Sequence, residues 1–226
     1  MTVKEVSKRR SVEGGVRTKP NLRLVQKAQT RARILEAALQ QFNAVGFYGA
    51  TIDQIAGAIG ASRATFYLHF PDKEAVLKAL LDDYLARAVV QMSRMPGPIP
   101  SRQQLNEWMA ELVAFYETEH LSIAMISEIS AIAPSTSGIQ EKSRGAIAGA
   151  LGRNVAAFAK GAGGEAEVER EVTSDSLILH ITWAAAAAAR RPGSAYAKAA
   201  LDLAAAHLHQ FVSDPRFSHR RRGDQV

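Results

Sequence analysis

The 226-residue chain has no cysteine, is 47% hydrophobic and 22% charged, and carries a formal net charge of +6. That length sustains one large domain or two small ones with a substantial core, and the missing cysteine excludes disulfide frameworks, Cys-ligated zinc and thiol nucleophiles. No apolar run reaches the roughly 18 residues of a bilayer span, and the opening MTVKEVSKRRSVEGG lacks the apolar segment of a signal peptide, so a cytoplasmic protein without membrane contact is expected.

Residues 1–27 hold eight Lys and Arg against two Glu, which accounts for the whole net charge. A basic arm poor in large apolar residues is expected to be disordered and to lie against nucleic acid or anionic lipid; the other reading is a solvated tail. The cluster Arg220–Arg222 closes the chain as a second basic tail, read as solvated.

Strand-like alternation is absent and the rest reads as helix, so the fold class is all-α. A first helix over 30–47 places Ile34, Leu35, Ala38, Phe42 and Val45 on one stripe, with Thr30 as N-cap and Gly46 as stop. In the second, 51-TIDQIAGAIG-60, apolar residues recur at Ile52, Ile55, Ala56 and Ile59, and Thr51 with Gln54 forms a capping box. Gly60 supplies a left-handed turn, Ser62 caps a short third helix ending near His69, and Asp72 caps a long fourth helix reaching Val89. The motif 95-MPGPIP-100 then breaks the chain, and further helices are expected over 101–119, 120–132, 138–161, 165–191 and 194–213.

Helices two and three have helix-turn-helix spacing, with Ala56 small at the crossing and Phe66 returning to the core. The outward faces carry polar and basic groups. Arg63 can fork onto guanine, Thr65 can reach a base edge or a phosphate, Tyr67 and His69 offer hydrogen bonds to phosphate, and Lys73 lies beside a helix N-terminus that favours an anion.

The string Thr51, Ile55, Ala56, Gly60, Thr65, Phe66, Tyr67, His69, Phe70 and Lys73 resembles, without a gap, the DNA-binding domain of the TetR family of bacterial transcriptional regulators. The resemblance runs from Thr30 to Leu81. It implies a helix-turn-helix domain over 28–88 (the motif itself about 51–70), joined by the long fourth helix to a helical effector-binding and dimerisation domain over 89–213, with a tail over 214–226. It implies that Thr51, Tyr67, His69 and Lys73 touch the DNA backbone, with Ser62 capping the third helix among them. It also implies that Arg63, Ala64 and Thr65 meet bases and that Leu68 reaches a thymine methyl. Ala64 stands where the family often has Gly. Tyr67 read as half core, and His69 as an ordinary surface residue, remain the alternatives.

The expected function is that of a sequence-specific regulator, a repressor released from a near-palindromic duplex operator by a small-molecule effector. The alternative is an effector-independent regulator or activator whose second domain only dimerises. The resemblance implies a homodimer through the last two helices, for which Leu177, Leu179, Ile181, Trp183, Leu201, Leu203, Leu208 and Phe211 are candidates, with intrachain core as the other reading of each. Trp108, Phe115, Tyr116, Met125, Glu128, His180 and Trp183 are the candidate ligand-binding residues, with plain core as the other reading. No enzyme is expected, because HExxH, G-x-S-x-G and P-loop motifs are missing. No cofactor and no metal are expected either: His207 and His209, two apart, fall on different helix faces.

Overall fold

The computed structural model describes residues 22–132, 137–159 and 165–218, all of whose regular elements are helical. The arm before residue 22 and the Arg220–Arg222 cluster lie outside the described residues. Ten α-helices are present among them: α1 Leu22–Gly49, α2 Ile52–Ala58, α3 Arg63–Tyr67, α4 Lys73–Met92, α5 Arg102–Thr118, α6 His120–Ile132, α7 Ser137–Gly152, α8 Glu165–Arg190, α9 Ala195–Ser213 and α10 Pro215–Ser218. A 3₁₀ turn at Ala156–Phe158 follows α7.

Helix α1 starts eight residues before the expected cap. Leu, Arg, Gln, Lys and Ala over 22–29 are good helix formers, and the Thr30 hydroxyl bonds back to the Gln26 carbonyl at 3.0 Å inside the helix. The basic arm therefore gives way to helix before residue 27. Regular helix ends at Gly46, whose φ of 75° is left-handed. Val45 is exposed, and Phe47 takes its place in the core.

Local capping sets the next three elements. Thr51 and Gln54 complete the capping box of α2, Ser62 accepts from the Thr65 amide to start α3, and Asp72 accepts from the Ala75 amide to start α4. Gly60, at φ 67°, turns the chain between α2 and α3. Arg33 of α1 donates to the Ile59 carbonyl at 2.7 Å, tying the end of α2 to the first helix. Around these lies a small core of Ile34, Ala38, Phe42, Phe47, Ile55, Ala56, Phe66, Phe70, Val76 and Leu80.

The second, larger core gathers Met92 and Met95 with α5, the end of α7, α8 and α9. Helices α8 and α9 pair over their length with α5 against both. Helix α7 stops at Gly152, short of the expected 161, because the chain folds back there. A side chain at Gly152 would meet the Ala159 backbone at 3.0 Å. Two residues on, the Asn154 amide donates to the carbonyls of Ser93 and Met95, at 2.8 and 2.9 Å, and fastens the end of α4 to α7. Residues 215–218, expected as tail, form α10, because the Phe217 ring packs, tilted, on Phe211 in this core, with centroids 5.4 Å apart.

Candidate nucleic-acid interface

The α2–turn–α3 unit presents one polar face. Phe66 is fully buried, and burial of such a ring supplies about 1.5–3 kcal/mol, so the roll of α3 is fixed and Arg63, Ala64, Tyr67 and Leu68 face outward. Tyr67 is 48% exposed, which favours its surface reading over a half-core one. The Arg63 guanidinium sits against two neighbours. The Tyr67 hydroxyl and then the Asp53 carboxylate, 3.1 Å away on α2, hold its pKa above the ordinary value. Thr65 is half-buried and its hydroxyl lies 3.0 Å from that of Ser62, so both are engaged at the start of α3. Thr51 is exposed, its side chain shared with Gln54.

His69 is half-buried beside α1. Burial, then the charges of Lys27 and Arg31, push its imidazole below the usual value, so the ring is neutral at pH 7. Its Nδ1 is buried with no hydrogen-bond partner. Arg31 itself lies over the Phe70 ring, 4.6 Å from the centroid. The beginning of α1 thus adds Lys27 and Arg31 to the positive rim near the end of α3; the sequence reading counted Lys27 in the basic arm and left out Arg31, whose neighbours are distant in the chain.

Lys73, expected at a phosphate, is engaged within the chain. Its Nζ donates to the carbonyls of Phe47 and Ala50, at 2.6 and 3.0 Å, and stands 4.6 Å from the centroid of the Phe47 ring. The ammonium closes the frayed carbonyl end of α1, where a cation is favoured. Its place beside the α4 N-terminus was legible, but the α1 carbonyls more than twenty residues away were not.

These features define the class: a helix-turn-helix protein with an appended helical domain. The sequence model of bacterial regulatory proteins of the tetR family matches residues 34–80, and over that segment the chain is similar to that family. SrpR, an HTH-type transcriptional regulator of Pseudomonas putida, is 49% identical over 53 residues, covering 24% of this chain and 25% of its own. EthR of Mycobacterium tuberculosis is 35% identical over 68 residues (30% and 32%), and RutR of Escherichia coli 33% identical over 116 residues (51% and 44%). The matches thus span a quarter to under a half of these relatives' length. Among solved structures, Salmonella enterica GusR superposes with a TM-score of 0.60 at 22% identity, covering 80% of this chain and 95% of that one. A tetR-family regulator from Streptomyces coelicolor gives 0.58 at 19% identity (81% and 79%). At these identities the likeness is one of fold.

The residues expected to line a ligand pocket do not converge. Trp108 and Tyr116 are packed into the larger core with Met109 and Leu112, and Phe115 lies half-buried against it. Met125 belongs to the other core: from α6 it is buried among Ile34, Phe42 and Val76. Trp183 is 47% exposed on the outer face of α8. The Glu128 side chain lies outside the described residues. His180 lines a surface groove of about 360 Å³ formed by α8, α9 and α10. The dimer candidates also divide. Leu177, Ile181, Leu208 and Phe211 are intrachain core and Leu201 is partly buried against it, whereas Leu179, Leu203 and Trp183 face outward. Val168, Val172 and Tyr196, which the sequence reading passed over, join the exposed set.

Proposed function

We propose that the protein is a homodimeric transcriptional regulator that reads duplex DNA with α3 and represses from a near-palindromic operator. What carries this reading is the fixed roll of α3, with Arg63 turned outward between Asp53 and Tyr67. Arg63 meets guanine O6 and N7, Ala64 and Leu68 meet thymine methyls, and Thr65 meets a base edge. Thr51, Ser62, Tyr67 and the outward nitrogen of His69 take phosphate oxygens, with Lys27 and Arg31 extending the positive rim. Lys73 sets the angle between α1 and α4 rather than contributing its charge to DNA.

Dimerisation through α8 and α9 is supported by an exposed apolar stripe. Val168, Val172, Leu179 and Trp183 recur at helical spacing on α8, beside Tyr196 and Leu203 on α9, all between 47% and 61% exposed. Uncovered, such a stripe marks an interface. Two copies place their α3 helices in successive major grooves, one helical turn or slightly more apart.

Release by a small molecule is supported by two buried donors without partners, Trp108 Nε1 and Gln91 Nε2, in the domain that would hold it. The effector-independent reading is supported by the close packing of Trp108, Met109 and Tyr116. Selection of bound sequences from random duplex DNA, at a stated salt concentration, tests the shared core of both readings. An enriched near-palindrome is expected; tight, salt-sensitive binding without enrichment would overturn sequence reading by α3.

A further inference from the structure

The groove between α8, α9 and α10 contains a pair of imidazoles that the DNA-binding reading does not use. His180 of α8 and His207 of α9 approach with their Nδ1 atoms 3.4 Å apart and ring centroids 5.2 Å apart. N–H···O hydrogen bonds are normally about 2.7–3.2 Å, so 3.4 Å between two ring nitrogens is at the long end for a hydrogen bond. Two nitrogens bound at about 2.0–2.1 Å to a tetrahedral metal stand about 3.3–3.4 Å apart. The pair has the bite of a chelate.

We propose that His180 and His207 bind a divalent first-row transition metal of the zinc, nickel or copper group through their Nδ1 atoms. Imidazole suits these ions, and a ligating imidazole must be neutral. The carboxylates that line the same groove are already engaged. Arg216 donates to Glu169 at 3.0 Å and to Asp214 at 2.8 Å. The remaining coordination positions therefore go to water or to a second copy of the chain. His180 follows Leu179, and His207 lies one turn beyond Leu203, so the pair borders the apolar stripe on which a second copy is proposed to sit. The metal site depends on the fold alone and stands whether or not the chain binds DNA.

The test is titration of the full-length, metal-free protein with zinc chloride and nickel chloride in a non-coordinating buffer, by calorimetry. Trp183 fluorescence is followed in parallel, because its ring centroid is 6.2 Å from that of His180 and nickel bound there quenches it. Saturation at one ion per chain is expected, or at one per two chains if the second copy's imidazoles complete the shell. His180→Ala and His207→Ala are each expected to weaken binding more than about tenfold, since even outer-shell partners of a metal cost about 10–100-fold. His209→Ala, whose ring is held at the Pro100 carbonyl, is expected to bind as the parent does. All three variants are checked for retained helicity and melting. Absence of binding, or binding and quenching that survive both groove substitutions, would overturn the site and reduce the pair to a hydrogen-bonded contact.

Discussion

Replacing Lys73 by methionine keeps the apolar stem and removes the charge, which separates a clasp from a phosphate contact. In the free protein the ammonium makes two hydrogen bonds to carbonyls, at 2.6 and 3.0 Å, and a cation–π contact at 4.6 Å. Hydrogen bonds from a charged group contribute about 1.5–3 kcal/mol each, and the ring contact about 0.5–1 kcal/mol. Lys73 is half-buried, so water recovers part of the sum and the expected loss is about 2–4 kcal/mol. For a chain of this size that lowers the melting temperature by roughly 5–15 °C. The assay is thermal and urea unfolding without DNA, with Lys78→Met as control. Lys78 reaches only Asp82, in an exposed pair, and its loss is expected to cost less than about 1 kcal/mol. A Lys73→Met change below about 0.5 kcal/mol, with DNA affinity nonetheless reduced, would refute the clasp and return the lysine to the phosphate.

Other outcomes follow from the same geometry. Arg63→Ala is expected to cost about 1–3 kcal/mol at one operator base pair and to leave random-sequence binding nearly unchanged; equal weakening on both duplexes would count against base reading. Met125→Ala is expected to destabilise the N-terminal core by about 2–5 kcal/mol although it lies on α6, as hydrogen exchange of α1 amides would register. Glu119, pushed up by burial but pulled lower overall by its bonds to Arg87 and Ser122, stabilises the fold at neutral pH. That advantage over Glu119→Gln is expected to disappear as pH falls below about 4, because a depressed carboxylate pKa favours the fold only while the group is ionised. A melting difference independent of pH would contradict it. Leu179→Glu, on the exposed stripe, is expected to shift sedimentation from dimer towards monomer without loss of helix content.

The N-terminal half was legible because its signals are local. Thr51, Gln54, Ser62 and Asp72 cap helices within three residues of themselves, and Gly60 turns the chain at its own φ. What escaped depends on contacts between distant residues. Lys73 looks like an anion site until α1 carbonyls are brought to it, and Met125 looks like a pocket residue until α6 is laid on α1. In α8 the apolar residues run round the helix, Leu177 and Ile181 inward, Leu179 and Trp183 outward. A helix apolar on both sides gives no single stripe to read. The early start of α1 was missed for the opposite reason: Thr30 had the chemistry of a cap and the helix simply ran through it.

The central claim is that α3 reads base sequence. Its most direct measurement is equilibrium binding of the purified chain, by fluorescence anisotropy, to the selected duplex and to a scrambled duplex of equal length and composition at one salt concentration. The account predicts that the selected duplex binds about a thousandfold or more tightly, with the ratio reduced roughly 5–150-fold for each half-site in Arg63→Ala. A ratio near one for the parent protein would contradict it, leaving a helix-turn-helix that holds phosphates and reads nothing.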